Sequence, residues 1–201
     1  MAATDTLHRR LLRTLLLLNG AMFVVEVVGG WRAGSMGVLA DGLDMGADAA
    51  VYLLALLAVG ASSARKLSAA RVAWLGQLTL GVLAVAEVAR RLVVGSDPET
   101  PAMVVLSLIA LAVNVTCLYL LRRQRHGEVH LQAAWIFSAT DVQANLGVLL
   151  AAALVRWLGS PLPDLAIAVV ICGLVLRGAV RIRRRIKAES AVPGASSNPN
   201  P

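Results

Sequence analysis

Apolar residues in this chain come in long unbroken runs rather than in alternation. The segment LLRTLLLLNGAMFVVEVVGGW is typical, and similar runs cover roughly residues 11–31, 36–60, 72–94, 102–121, 131–155 and 162–180. A run of about 20 mostly apolar residues is what an α-helix needs to cross the hydrocarbon core of a bilayer. Six such helices take roughly 120 residues, and the 201-residue chain supplies them with room for loops and tails. A transmembrane barrel is excluded, because its ~10-residue strands alternate lipid-facing and lumen-facing residues. A soluble domain is excluded by composition: only 15% of the residues are charged and 58% are hydrophobic, where soluble domains carry about a quarter charged. A disordered chain is too polar a class for this sequence. The predicted fold is all-α: a polytopic membrane protein with a six-helix transmembrane bundle over 11–185. A short N-terminus, 1–10, precedes it, and a tail, 186–201, follows. The tail is rich in Ser, Pro, Asn and Gly and is expected to be disordered.

The joints between the runs are turn-like or charged: Gly34-Ser35, residues 62–71, GSDPETP, RRQRHGEVH, and Gly159 to Pro163. Lys and Arg are unevenly shared between the two sides that six spans define. One side holds Arg9, Arg10, Arg13, Arg65, Lys66, Arg71, Arg122, Arg123, Arg125, Arg177, Arg181, Arg183, Arg184, Arg185 and Lys187; the other holds Arg32, Arg90, Arg91 and Arg156. The positive-inside rule puts both termini in the cytoplasm. The net charge of +7 therefore serves topology, and no nucleic acid partner is expected, since no soluble domain carries a basic face. The first run is too long and too polar in its middle for a cleaved signal peptide, and no organelle signal is visible. The expected location is the bacterial plasma (inner) membrane. Cys117 and Cys172 lie singly in apolar stretches and are expected to be small buried residues.

Against this background the acidic residues stand out. Glu26, Asp41, Asp44, Asp48, Glu87 and Asp141 all fall within apolar spans. A charge near the bilayer centre costs at least ~2.5–3.5 kcal/mol on insertion scales. No Lys or Arg is expected at comparable depth, because Arg90 and Arg91 sit near a span end and can snorkel outward. In LADGLDMGADAAVYLLALL, Asp41, Asp44 and Asp48 are three and four residues apart and share one helical face. Three anions on one stripe persist if they are protonated, face water or bind a cation.

The fifth span, LQAAWIFSATDVQANLGVLLAA, carries Asp141 and Asn145 on a common face, with Phe137 and Ser138 one turn earlier. An Asp here can also serve as an interhelical hydrogen-bonding residue. Set against the stripe of the second span, it offers a divalent cation a set of carboxylate oxygens, the donors that hard and borderline ions prefer. His8, His126 and His130 all lie outside the spans. His126 and His130, four apart with Glu128 between them, are a candidate metal-collecting site on the cytoplasmic face. Asn19 and Glu26, seven apart on the first span, either line a water or proton path or bond to neighbours. Asn114 in the fourth span is expected to act as hydrogen-bonding glue between helices.

These residues resemble the cation diffusion facilitator family of divalent metal/proton antiporters. The stretch NGAMFVVEVVGGWRAGSMGVLADGLDMGAD is similar to that family's first hairpin, and TDVQANLGVLLAA to its fifth span. The resemblance covers most of residues 11–185. It implies that Asp44 and Asp48 are the second-span pair of a central metal site and that Asp141 is the aspartate of a fifth-span HxxxD pair. The histidine of that pair is replaced by Phe137, which cannot ligate; Asn145, Ser138, Asp41 or a water would complete the coordination. Many family members carry a cytoplasmic metal-binding domain after the last span, where this sequence has a short tail. The implied partners are divalent metal ions, protons and the lipid bilayer, with a homodimer formed through transmembrane helices. The implied activity is export of Zn2+, with Cd2+ or Co2+, in exchange for protons by alternating access, with no cofactor beyond the transported ion. An all-oxygen site would favour Mn2+ or Fe2+ instead. A proton-coupled exporter of small organic cations is the alternative, although it would want aromatic faces and aromatics are 4% of the chain. An enzyme is not expected: an intramembrane aspartyl protease would need GxGD at its two aspartates, and neither Asp44 nor Asp141 has it.

Overall fold

The computed structural model describes residues 2–58, 63–122 and 129–190. They form six helices: α1 (Ala2–Arg32), α2 (Met36–Ala58), α3 (Ser63–Val94), α4 (Thr100–Leu121), α5 (Val129–Leu158) and α6 (Leu162–Ser190). Five of them contain stretches long and apolar enough to cross a membrane. The exception is α2, whose Asp41, Asp44 and Asp48 break its apolar character. At 23 residues it is still about 34 Å long, enough to span. It is also the helix that every other one touches, so its carboxylates are enclosed by protein. The others turn large apolar side chains outward, among them Leu17, Val24, Val72, Leu150 and Val169, as a surface solvated by lipid does. Trp31 and Trp157 stand exposed at the ends of α1 and α5, where amphipathic rings sit at headgroup level.

The α1–α2 turn shows how the sequence sets the architecture. Gly34, at φ 64°, takes the left-handed conformation that ends a helix. Ser35 N–H donates to Gly30 O at 3.0 Å and Gly34 N–H to Trp31 O at 3.3 Å, which is the Schellman closure. Ser35 then begins α2 at once: its Oγ accepts from Val38 N–H at 3.2 Å, as an N-cap serine does. The remaining free N–H groups of α2 are taken by a carboxylate from the far end of the sequence. Asp164, fully buried at the start of α6, accepts from Met36 N–H at 2.7 Å, Gly37 N–H at 2.9 Å and Ser35 Oγ at 2.6 Å. An anion at a helix N-terminus is electrostatically favoured as well as hydrogen-bonded.

Two more elements hold the same turn. Glu99 N–H donates to Ala33 O at 2.8 Å, and Arg91 donates to Gly34 O. Arg91 is only 6% exposed, so the expectation that it snorkels outward is corrected: the carbonyl of Gly34 draws it inward. Glu87 is likewise not uncompensated. It accepts from Arg90 at 2.7 Å and from Arg91 at 2.9 Å, because steps of three and four residues, about one turn of helix, bring both cations to its side. The ends of α1, α3 and α5 thus meet the starts of α2, α4 and α6 at one face. The helices alternate in direction, and the beginning of α1 and the end of α6 share the opposite face.

Asp164→Ala should leave three donors at the start of α2 without an acceptor. A loss of about 2–5 kcal/mol is expected from the buried acceptor and its charge. Thermal unfolding in detergent micelles checks this, and an unchanged midpoint would show that the junction contributes nothing.

Beneath the junction lies the main apolar cluster. It joins Met36, Leu39 and Leu43 of α2 to Val88 of α3, Met103 of α4, Val148 of α5 and Ile171 of α6, among others. Cys117 and Cys172 are both free and buried, as expected.

Candidate metal site

The site is built on α2, with α1 and α5 on either side. Glycines let α1 approach closely. A Cβ on Gly42 would lie 2.8 Å from Glu26 Cβ, and one on Gly46 would lie 2.7 Å from the Phe23 ring. Gly42 and Gly46 form a small-xxx-small pair on the same helix as the acidic stripe, the spacing that lets membrane helices touch backbone to backbone. That GxxxG signal is legible in the sequence, yet it is overshadowed there by the aspartates it interleaves. Asp164, which seats the whole of α2, was also missed: its only sequence signal is an acid in the first turn of a helix after Pro161 and Pro163.

Two pairs of groups join α2 to α5. Near the α1–α2 turn, Asn145 Nδ2 donates to Asp41 Oδ2 at 2.7 Å. One to two turns deeper, the carboxyls of Asp48 and Asp141 adjoin each other. Asp48 Oδ2 also accepts from the Tyr52 hydroxyl at 3.4 Å, while Asp141 Oδ2 has no hydrogen-bond partner. Asp44 lies between the two pairs, within electrostatic reach of Asp41, Asp48 and Asp141. It is the least enclosed of the three stripe residues. Among the described residues, no three His, Cys, Asp or Glu side chains are gathered closely enough to hold an ion. The carboxylates meet two at a time.

The other candidates divide between these pairs. Glu26 is completely buried, and its carboxyl adjoins that of Asp41. Asn19 points elsewhere: its Nδ2 donates to Leu15 O at 2.9 Å and to Cys117 Sγ at 3.7 Å. Asn19 and Glu26 are therefore both buried on α1, at separate levels. Ser138 Oγ is buried beside the Tyr52 hydroxyl. Asn114 makes no hydrogen bond through either side-chain atom, so the expectation that it bonds across to another helix is corrected. His126 lies outside the described residues, as do the side chains of His130 and Phe137.

Among the described residues no basic side chain stands beside this pair of buried carboxyls, a costly arrangement in a bilayer. Protons or a divalent ion relieve it, and both act on the same oxygens.

Residues 12–185 match the family described as the cation efflux transmembrane domain. The zinc transporter ZitB of Escherichia coli (strain K12) is 30% identical over 191 residues, which cover 89% of this chain and 61% of that protein. A cadmium, cobalt and zinc/H(+)-K(+) antiporter of Bacillus velezensis is 22% identical over 188 residues, covering 87% and 60% of the two chains. The metal cation efflux system protein CzcD of Cupriavidus metallidurans is 25% identical over 179 residues, covering 82% and 56%. The chain thus spans about six tenths of the length of the relatives it matches.

Proposed function

The chain belongs to the cation efflux family, as a multi-pass protein of the bacterial inner membrane, and from that premise we propose that it exports divalent metal cations in exchange for protons. The observation that carries this reading is the contact of Asp48 on α2 with Asp141 on α5, two buried carboxyls from separate helices with no Lys, Arg or His at their side among the described residues. Asp44 is the third ligand, drawn in from beside the pair when the ion arrives. Asp41, Asn145 and Ser138 are the reserves from which the coordination is completed, since the phenyl group of Phe137 offers no donor. Asn19 and Glu26 serve the movement of water and protons, and His126 and His130 collect metal on the cytoplasmic face. The names of the relatives support Zn2+ as the main substrate, with Cd2+ or Co2+.

The exchange follows from charge. A divalent cation favours the ionised carboxylates and displaces their protons. When the site opens outward, protons return to those oxygens and release the metal. The bundle alternates between the two openings around a site that stays near mid-membrane. The same reading takes the working unit to be a homodimer paired through membrane helices. The transported ion is the only non-protein group the cycle uses.

A preference for Mn2+ or Fe2+ is the second reading, favoured by a donor set made of oxygens. A small organic cation finds less support. It would want aromatic faces around the carboxylates, and aromatic residues are 4% of the chain.

Proteoliposomes challenged with a panel of divalent metals, with and without an acidic interior, test the proposal. Zn2+, Cd2+ and Co2+ should enter faster into the acidic lumen, and an ionophore that collapses the gradient should slow them. Metal uptake indifferent to the gradient would remove the proton coupling, and no uptake of any metal would remove the function.

A further inference from the structure

We propose that Asn114 of α4 is a further ligand of the transported ion, its amide oxygen supplying the donor that Phe137 cannot. This rests on reading Asp44, Asp48 and Asp141 as the carboxylates that hold the ion.

The buried face of α4 is Met103, Ser107, Ala110, Asn114, Cys117 and Leu121, a stripe at alternating steps of four and three. Within it, Asn114 is fully buried, and neither Nδ2 nor Oδ1 has a hydrogen-bond partner. A polar side chain in a membrane bundle ordinarily finds a partner across the helix interface, and leaving an amide unpaired out of water is unfavourable. An amide retained in that condition points to a guest.

Its neighbours on α4 fix its level. One turn towards the α1–α2 junction, Ala110 packs in a cluster with Met22 and Met45. One turn the other way, Cys117 packs in a cluster with Tyr52 and lies within electrostatic reach of Asp141 and Asp48. Met45 and Tyr52 bracket Asp48 on α2, three residues before it and four after. Asn114 therefore stands at the height of Asp48, on a third helix, between two groups that both adjoin the carboxylate-bearing helices.

The other polar groups on this side are less suited. Ser107 is two turns away, about 10 Å along the axis. Asn19 also has an unpartnered Oδ1, but its amide N–H groups are bonded to Leu15 O and Cys117 Sγ, which holds it at the level of Cys117, about one turn from Asn114. A carbonyl oxygen is a neutral, hard donor of the kind that fills coordination around divalent ions alongside carboxylates. It adds a ligand without adding a charge to the bilayer or a proton to the exchange. It would also tie α4 to the ion that α2 and α5 share.

The test uses the full chain in detergent micelles, with Cd2+ and Zn2+ binding followed by calorimetry and the metal-free protein followed by thermal unfolding. Asn114→Leu keeps the volume and removes the unpaired amide. The metal-free variant should melt at or above the wild-type temperature, while its metal affinity falls about ten- to a hundredfold. Asn114→Asp should bind more tightly than wild type and show a steeper pH dependence, and it decides the matter if the Leu variant does not fold. Wild-type affinity in Asn114→Leu, or unchanged affinity in Asn114→Asp, would overturn the proposal. If that occurs while Asp48→Asn abolishes binding, the carboxylate site stands and only Asn114 falls. If the wild-type protein binds neither metal, both fall together.

Discussion

Asp48→Asn is expected to reduce metal transport by at least about a hundredfold with the bundle intact. The substitution keeps the shape of the side chain and removes its charge, so the packing of α2 against α1 and α5 has no reason to change. It can retain the bond from the Tyr52 hydroxyl, because the amide oxygen still accepts. What it loses is the anion that adjoins Asp141. Removing one of two like charges in a low-dielectric site should raise the stability of the metal-free protein, in the opposite direction to its effect on transport. Uptake of Zn2+ or Cd2+ into everted membrane vesicles measures the first effect and thermal unfolding the second. A variant that transports at the wild-type rate would remove Asp48 from the site. A variant that loses transport and stability together would mark it as structural.

The second large effect is on pH. On the proposed mechanism metal and protons compete for the same carboxylate oxygens, so acid weakens binding. Each carboxyl that sheds a proton when the ion arrives contributes about tenfold in affinity per pH unit, and two coupled groups about a hundredfold. Lowering the pH from about 7 to about 6 should therefore weaken Cd2+ binding by ten- to a hundredfold, with the higher figure if Asp48 and Asp141 both take part. Calorimetry in buffers of different ionisation enthalpy should report the matching release of about one to two protons. The direction suits an exporter: an acidic exterior strips the ion from the site, and a neutral cytoplasm loads it. An affinity that stays flat over this range would mean that the ion and the proton use different groups.

Much of this arrangement is legible in the sequence because a bilayer allows so few solutions. Unbroken apolar runs of this length read as spanning helices, and six helices stand where the six runs fall. The three-and-four spacing of Asp41, Asp44 and Asp48 puts them on one face, and the structure holds that face against α5, where Asn145 and Asp141 meet two of the three. Pairings made through space are another matter. The bond of Arg91 to Gly34 O spans 57 residues and that of Asp164 to Met36 spans 128, and no local pattern encodes either. Arg91 was expected to reach outward because a cation near a span end usually can; a nearby helix terminus with a free carbonyl offers it more. Asn114 was expected to be glue because polar residues in bundles usually are, and only the packing around it reveals that its amide has nothing to hold.

The claim on which the mechanism depends is that carboxylates from α2 and α5 grip one ion. A double-mutant cycle on Cd2+ binding addresses it, using Asp48→Asn, Asp141→Asn and the two combined, with residual affinity measured by calorimetry at one pH. If the two side chains share the ion, their losses do not add: the double variant binds little worse than either single one. If each acts alone, the losses add in free energy and the double variant falls by the product of the two, which would contradict a common site.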